Sequence, residues 1–324
     1  MLGLPTPAPD ALPPQKTYER FFFVQKRSFA TVGIDPTSFE RTIISYGLFW
    51  IPFFAMVTIP GPALLLARNY ITDLNVVARI LTPVWQSILA GLKICVFMWQ
   101  RKKIIFLVRK VWLWNLDGFS ILQQQKGSFA IGEAANAKEA EILTKENVID
   151  QKITSFYFVL VAVSGFSAIL IYILDIHETY IGYLFAFVWG SLAIYCICNG
   201  SLAIDSLFSW FVCNFVGLFR ILNLKFKTLA ESGNLSDGEF KDGIRKCVMY
   251  HLQVIKLVES FNEVYKTIIF LKFLISCFQI AFIVFQFPNT EEMGFQLMHA
   301  SFLSSVATQL MLYCHGGQKI KDMI

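Results

Sequence analysis

Charge is scarce in this chain. Asp, Glu, Lys and Arg make up 16% of its 324 residues, against about 25% in an ordinary soluble domain. Catalytic signatures are missing as well. There is no HExxH, GxSxG or GxGxxG motif and no phosphate-binding loop, so nothing points to an enzyme. A disulfide framework is absent although there are seven cysteines: six fall in or beside apolar runs and Cys247 lies in a basic stretch. Metal-ligand groupings are poor. Asp175, His177 and Glu178 share a turn without a fourth ligand, and Cys196 and Cys198 are spaced to face different sides of a helix. No metal and no cofactor is expected. Residues 1–41 hold six prolines and five basic residues but no apolar core, so they are not a secretory signal, and the first apolar run is expected to act as the insertion signal.

Apolar sequence is what the chain has in excess. Hydrophobic residues make up 55%, with 32 Phe and a mean hydropathy of +0.54. The excess sits in runs long enough to cross a hydrocarbon core of about 30 Å. An all-α, polytopic transmembrane helical bundle is expected: a cytoplasmic arm over 1–41, then one membrane domain over 42–324. Six spans are read at 42–67, 76–99, 155–174, 181–219, 250–287 and 295–315. Pro52 and the Pro60-Gly-Pro62 break are expected to kink the first. In the second, Arg79 and Lys93 sit near opposite ends, where their stems reach toward the headgroups. The intervening 100–154 reads as an amphipathic continuation, a loop near 123–127 and an exposed helix over 133–146; 220–249 reads as a second long loop. Span six is expected to end at the glycine pair Gly316-Gly317, and His299 reads as a satisfied interfacial histidine.

Span four is too long for a bilayer. Residues 181–219 carry one charge, Asp205, and as a helix would run about 58 Å. Either it breaks near Asn199-Gly200 or its second half projects into the cytosol against other protein. The second option spares Asp205 the cost of an unpaired charge in hydrocarbon. The start of span five offers a partner face, a stripe of Leu252, Ile255, Phe261 and Tyr265.

Basic residues set the orientation. Five lie in the arm, nine in 100–155, eight in 220–266 and two in the tail, while the opposite connections hold Arg68 alone. Lys and Arg accumulate on the cytoplasmic side, so the N-terminus, both long loops and the tail are placed in the cytosol. The outer halves of the spans then carry Trp85, Phe166, Tyr172, Tyr183, Phe185, Phe187, Trp189, Phe282 and Phe302. Clefts lined by aromatics suit small hydrophobic ligands, although Tyr180, Tyr183 and Trp189 serve equally as an interfacial belt or as ordinary packing.

Three segments, in order on this topology, carry a resemblance. They are Ser201-Leu-Ala-Ile-Asp205-Ser-Leu-Phe-Ser-Trp210, Tyr250-His251-Leu-Gln-Val-Ile with Asn262, and Gln309-Leu-Met-Leu-Tyr313-Cys314-His-Gly316. Together they resemble the insect odorant receptors, over nearly the whole chain. The resemblance implies a seven-span receptor with its N-terminus in the cytosol, in the plasma membrane of sensory dendrites. It implies a shared co-receptor as partner in a hetero-oligomer, a tetrameric odorant-gated cation channel. It implies odorants in the outer half, between spans two, three, four and six, at Trp85, Phe166, Tyr172, Tyr183, Phe187, Trp189 and Phe302. It implies subunit contacts at the cytosolic extensions, with Asp205, His251, Phe261 and Tyr265. The expected partners are therefore a small volatile ligand, the lipid bilayer and the co-receptor, with no nucleic acid. The pore-lining seventh span of the family would follow Ile324, which leaves channel activity of this chain alone in doubt. A gustatory-type receptor stays open, as does a secondary transporter, although no half-repeat is found.

Overall fold

The computed structural model describes residues 22–35, 43–58, 60–124, 132–174, 180–232, 236–289 and 293–324, and all regular structure among them is helical. The order is α1 (Phe23–Thr31), α2 (Ile43–Thr58), α3 (Pro60–Asn69), α4 (Leu74–Trp99), α5 (Arg101–Gln124), α6 (Gly132–Leu174), α7 (Tyr180–Glu231), α8 (Asp237–Gln286) and α9 (Met293–Lys321), with a 3₁₀ turn at Phe287–Asn289 between the last two. The first apolar run divides at Pro60, which has no N–H to continue a helix but starts a new one without loss. By length and composition, five segments among the described residues are able to cross a membrane: Phe49–Asn69, Val76–Trp99, Glu141–Ser167, Phe187–Glu231 and Asp237–Gln286. In α9, read from sequence as span six, Ser301, Ser304, Ser305, Thr308 and Gln309 dilute the apolar run.

α7 is the axis of the molecule. It is one unbroken helix of 52 residues, about 78 Å long at 1.5 Å per residue. It passes through Asn199-Gly200 without a break. Helices α1, α2, α4, α6, α8 and α9 all pack on it. Every residue from 201 to 219 is buried. A helix apolar on all sides must be enclosed either by lipid or by protein, and here protein encloses this half. Its rings interlock with α8 and α9: Phe208 lies 4.4 Å from Tyr313 and 5.5 Å from Phe261 between ring centroids, and Phe261 lies 4.7 Å from Tyr265.

Several sequence expectations change here. The exposed helix over 133–146 is not separate; it is the first part of the 43-residue α6. An Ala/Glu/Lys-rich stretch of strong helix formers leads without a proline into the apolar span, so nothing stops the helix between them. Most of the loop over 220–249 is helix as well. α7 continues to Glu231, and α8 starts at Asp237, where Ser236 and Glu239 form a reciprocal capping box.

Gly316-Gly317 does not end the last helix, which runs on to Lys321. Gly316 instead lets α9 approach α7, since a Cβ there would stand 2.8 Å from Phe208 Cε1 and 3.1 Å from Val212 Cγ2.

The N-terminal arm contributes structure too. α1 buries Gln25, Ser28 and Phe29. Phe22, just ahead of it, sets its ring edge-on to Trp112 and Trp210. The arm is thereby part of the wall around the buried half of α7, residues 201–219.

Candidate functional site

Asp205, the single charge in the apolar run of α7, is completely buried and accepts from three helices. Lys93 Nζ of α4 lies 2.6 Å from its Oδ1, and Tyr313 OH of α9 donates to the same oxygen at 2.5 Å. Tyr157 OH of α6 donates to Oδ2 at 2.9 Å. Lys93 also donates to Ser201 Oγ at 3.2 Å and stands 5.8 Å from the centre of the Tyr313 ring. The network continues outward from the carboxylate. Gln309 Nε2 donates to Tyr157 OH, and Lys272 Nζ of α8 donates to Gln309 Oε1. Lys93, Tyr157, Asp205, Lys272, Gln309 and Tyr313 are each 3% exposed or less.

Two lysine side chains and one carboxylate thus sit in a protein-enclosed interior, held by five helices. A buried charge survives when it is paired and its remaining lone pairs and protons are bonded. Here the carboxylate takes three donors and Lys93 has a charge partner, a hydroxyl and a ring face. The helices carry the right residues on the facing stripes. On α4, Leu89, Ala90, Lys93, Ile94 and Phe97 are all buried, so Lys93 belongs to the inward face. This corrects the expectation that Lys93 reaches the headgroups. Its stem points into the bundle because a carboxylate waits there. The side chain of Arg79, the other charge in that span, lies outside the described residues.

Further along α7 toward Glu231, three more polar rungs tie the helices together. Ser209 Oγ donates to Asp150 Oδ1 at 2.5 Å, and Gln25 Nε2 of α1 donates to Asp150 Oδ2 at 3.2 Å. Glu146, 1% exposed in its side chain, is bracketed by Arg220 of α7 and by Lys319 of α9, the latter at 3.4 Å. Lys225 pairs with Glu139 at 2.9 Å.

The residues expected at a subunit contact are mostly used within the chain. Asp205, Phe261 and Tyr265 are 0, 5 and 1% exposed, consumed by the hub and the ring cluster beneath it. Within this chain these three side chains are enclosed by its own helices. His251 is half-buried, edge-on to Phe219 at 6.1 Å. The partner face expected on α8 forms with α7 as an intrachain contact, except that Leu252 is exposed.

The aromatics expected to line a ligand site are dispersed. Trp85 stacks on Phe278 of α8 at 5.4 Å and 14°. Trp189 Nε1 donates to Thr58 Oγ1 of α2 at 3.1 Å. Phe187 and Phe302 are half-buried, whereas Phe166 is 68% exposed and turned away from the bundle. Tyr172, Tyr183 and Phe185 lie outside the residues whose side chains are described.

Sequence reasoning missed the polar contacts on the other side of the hub. Ser164 and Ser167 of α6 meet Ser301 of α9, at 3.1 Å to its carbonyl and 3.2 Å to its hydroxyl. Gln279 and Gln286 of α8 meet Gln86 and Thr82 of α4 at 2.8 and 3.0 Å. The signal for the glutamines was present: Tyr265, Lys272, Gln279 and Gln286 recur every seventh residue, one face of a helix. His299 lies on the buried side of α9 at 2% exposure. Among the described residues, no group of three or more His, Cys, Asp and Glu is placed to hold a metal ion.

Known proteins match this chain throughout. A sequence model described as 7tm odorant receptor matches residues 73–323. The chain is 22% identical to odorant receptor 45a of Drosophila melanogaster, over 93% of this chain and 80% of the relative. It is 24% identical to odorant receptor 9a of the same organism, over 81% and 68%. In fold it is similar to the insect olfactory receptor OR5 from Machilis hrabei, with a TM-score of 0.71 at 10% identity, covering 94% of this chain and 80% of that one.

Proposed function

The chain belongs to the odorant receptor family, and from that premise we propose that it binds small apolar volatile compounds between the outer halves of α4, α6, α7 and α9 and, with a shared co-receptor in the plasma membrane, gates a cation channel. One observation carries the mechanism. The helices whose outer halves would hold the ligand are the helices joined at Asp205: Lys93 comes from α4, Tyr157 from α6 and Tyr313 from α9.

A ligand shifts an equilibrium only by binding one arrangement better than another. A wedge between these outer halves changes their spacing. The charge network directly beneath resists gradual deformation, because a buried ion pair with shared hydrogen bonds is either formed or broken. The network therefore acts as a stop between two helix arrangements. The continuous helices α6, α7, α8 and α9 carry the choice into the cytosolic half, where Asp150 and Glu146 bind α6 to α7. Candidate ligand contacts are Trp85, Phe187, Trp189 and Phe302, with Phe166, Tyr172 and Tyr183 from the sequence reading.

Expression of this chain with a co-receptor in cells, followed by patch-clamp recording, tests the proposal. Odorant-evoked cation current that is lost when this chain is omitted supports it. Silence to a broad panel of volatiles, with both proteins at the cell surface, counts against it.

A further inference from the structure

The contact between α4 and α8 holds buried polar atoms that the Asp205 network does not use. The helices run antiparallel, so Gln279 meets Gln86 and Gln286 meets Thr82. In the first pair Gln279 spends its amide nitrogen, and its carbonyl oxygen Oε1 has no protein partner. One turn inward on the same helix, Ser276 Oγ has none either, and across the contact neither has Trp85 Nε1. Gln279 and Ser276 are both 0% exposed. Trp85 is held in place by its stack on Phe278. Ile275 and Ile283 of α8 and Leu89 and Ala90 of α4, all buried, are the apolar neighbours along these stripes.

The chemistry of the three atoms is specific. Trp85 offers only a donor, Gln279 Oε1 only an acceptor, and Ser276 either. In a bilayer there is no surrounding water to satisfy them. A group that both donates and accepts answers the set. A hydroxyl does so; an ether or ester oxygen accepts from Trp85 but leaves the glutamine carbonyl unmet; a hydrocarbon leaves all three unmet. We propose that the seam formed by Trp85, Ser276 and Gln279 binds the hydroxyl group of a small alcohol whose apolar tail lies among the aromatics of the outer half. This rests on the reading of the chain as a receptor for small volatiles and names the ligand class.

The test uses the full chain in lipid nanodiscs and follows its thermal unfolding with three probes of matched size: 1-hexanol, 1-methoxypentane and n-heptane. Binding to the folded state raises the midpoint by mass action, which gives an apparent Kd for each. The expected result is 1-hexanol at least about tenfold tighter than the ether, the worth of one well-placed hydrogen bond.

The variants Trp85→Phe and Ser276→Ala remove unpartnered atoms while keeping the ring stack and the helix, so the unliganded midpoint is expected to hold. Combined, they bring the alcohol-to-ether ratio to within about threefold, and because the ratio is read within one variant, any loss of apolar contact at Trp85, which heptane measures separately, cancels from it. Equal affinities for alcohol and ether, or a preference that persists in the double variant, overturn the proposal, as when water fills the seam. Failure of all three probes to shift the midpoint overturns the ligand reading along with it.

Discussion

Lys93 Nζ and Asp205 Oδ1 lie 2.6 Å apart, with both side chains completely buried. Two residues separated by 112 positions thus settle one another's burial. Removing one member of such a pair strands the other, at roughly 3–5 kcal/mol. Asp205→Asn is therefore expected to lower the unfolding midpoint strongly, and Lys93→Met somewhat less, because Tyr157 and Tyr313 still donate to the carboxylate. The double variant is expected to cost less than the sum. Thermal unfolding of the purified chain in nanodiscs, read as a double-mutant cycle, measures the coupling. Strict additivity would contradict the pair.

The glycine pair near the end of α9 gives a sharper contrast. A methyl group at Gly316 meets the Phe208 ring at 2.8 Å, and that ring is pinned by Phe261, Tyr265 and Tyr313. Gly316→Ala is expected to destabilise by about 1–3 kcal/mol through overpacking. At Gly317 nothing lies within 4 Å of an added Cβ. There Gly317→Ala is expected to be neutral or to stabilise by up to about 1 kcal/mol, the helix-interior difference between the two residues. The same unfolding assay compares them, and equal effects would mean that α9 does not touch α7 at this point.

At the start of α8, Glu239 N–H donates to Ser236 Oγ at 3.4 Å, and Ser236 N–H donates to Glu239 Oε2 at 3.0 Å. Ser236→Ala is expected to cost about 1 kcal/mol of local helix stability. Hydrogen exchange should quicken over residues 237–242 and stay unchanged from 254 onward, where α8 is packed. Unchanged exchange at the start of the helix would remove the cap from the account.

Orientation is checked by cysteine labelling. Lys102 and Thr72 are both exposed, on sides that the distribution of Lys and Arg sets apart. A membrane-impermeant maleimide on intact cells is expected to label Thr72→Cys above the wild-type background, and Lys102→Cys only after permeabilisation. The reverse pattern would invert the molecule.

Much of the fold was legible because hydropathy and charge act over whole segments. The apolar runs, the excessive length of α7 and its burial in protein all follow from one count of residues against bilayer thickness. What escaped depended on single partners. Lys93 and Asp205 each stood out as a charge in an apolar run, yet pairing them requires knowing that α4 and α7 pack face to face. Ser236 and Glu239 carried a local cap signal that a basic composition masked. Gly316 read as a stop signal because glycine serves both chain ends and close packing, and only the position of Phe208 decides between them. The candidate site was harder still. Aromatics at a given depth are visible in sequence, but the direction of each ring is set by packing, so Trp85 turned to α8 and Phe166 turned outward.

The central claim is that a small apolar molecule is held between the outer halves of the helices that meet at Asp205. Photolabelling tests it most directly, with a diazirine placed in the tail of an aliphatic alcohol, the chain in nanodiscs and adducts mapped by mass spectrometry. The account predicts adducts confined to the outer halves of α4, α6, α7, α8 and α9 and suppressed by excess unlabelled alcohol. Adducts confined to residues 201 to 265, or labelling that competition leaves unchanged, would contradict it.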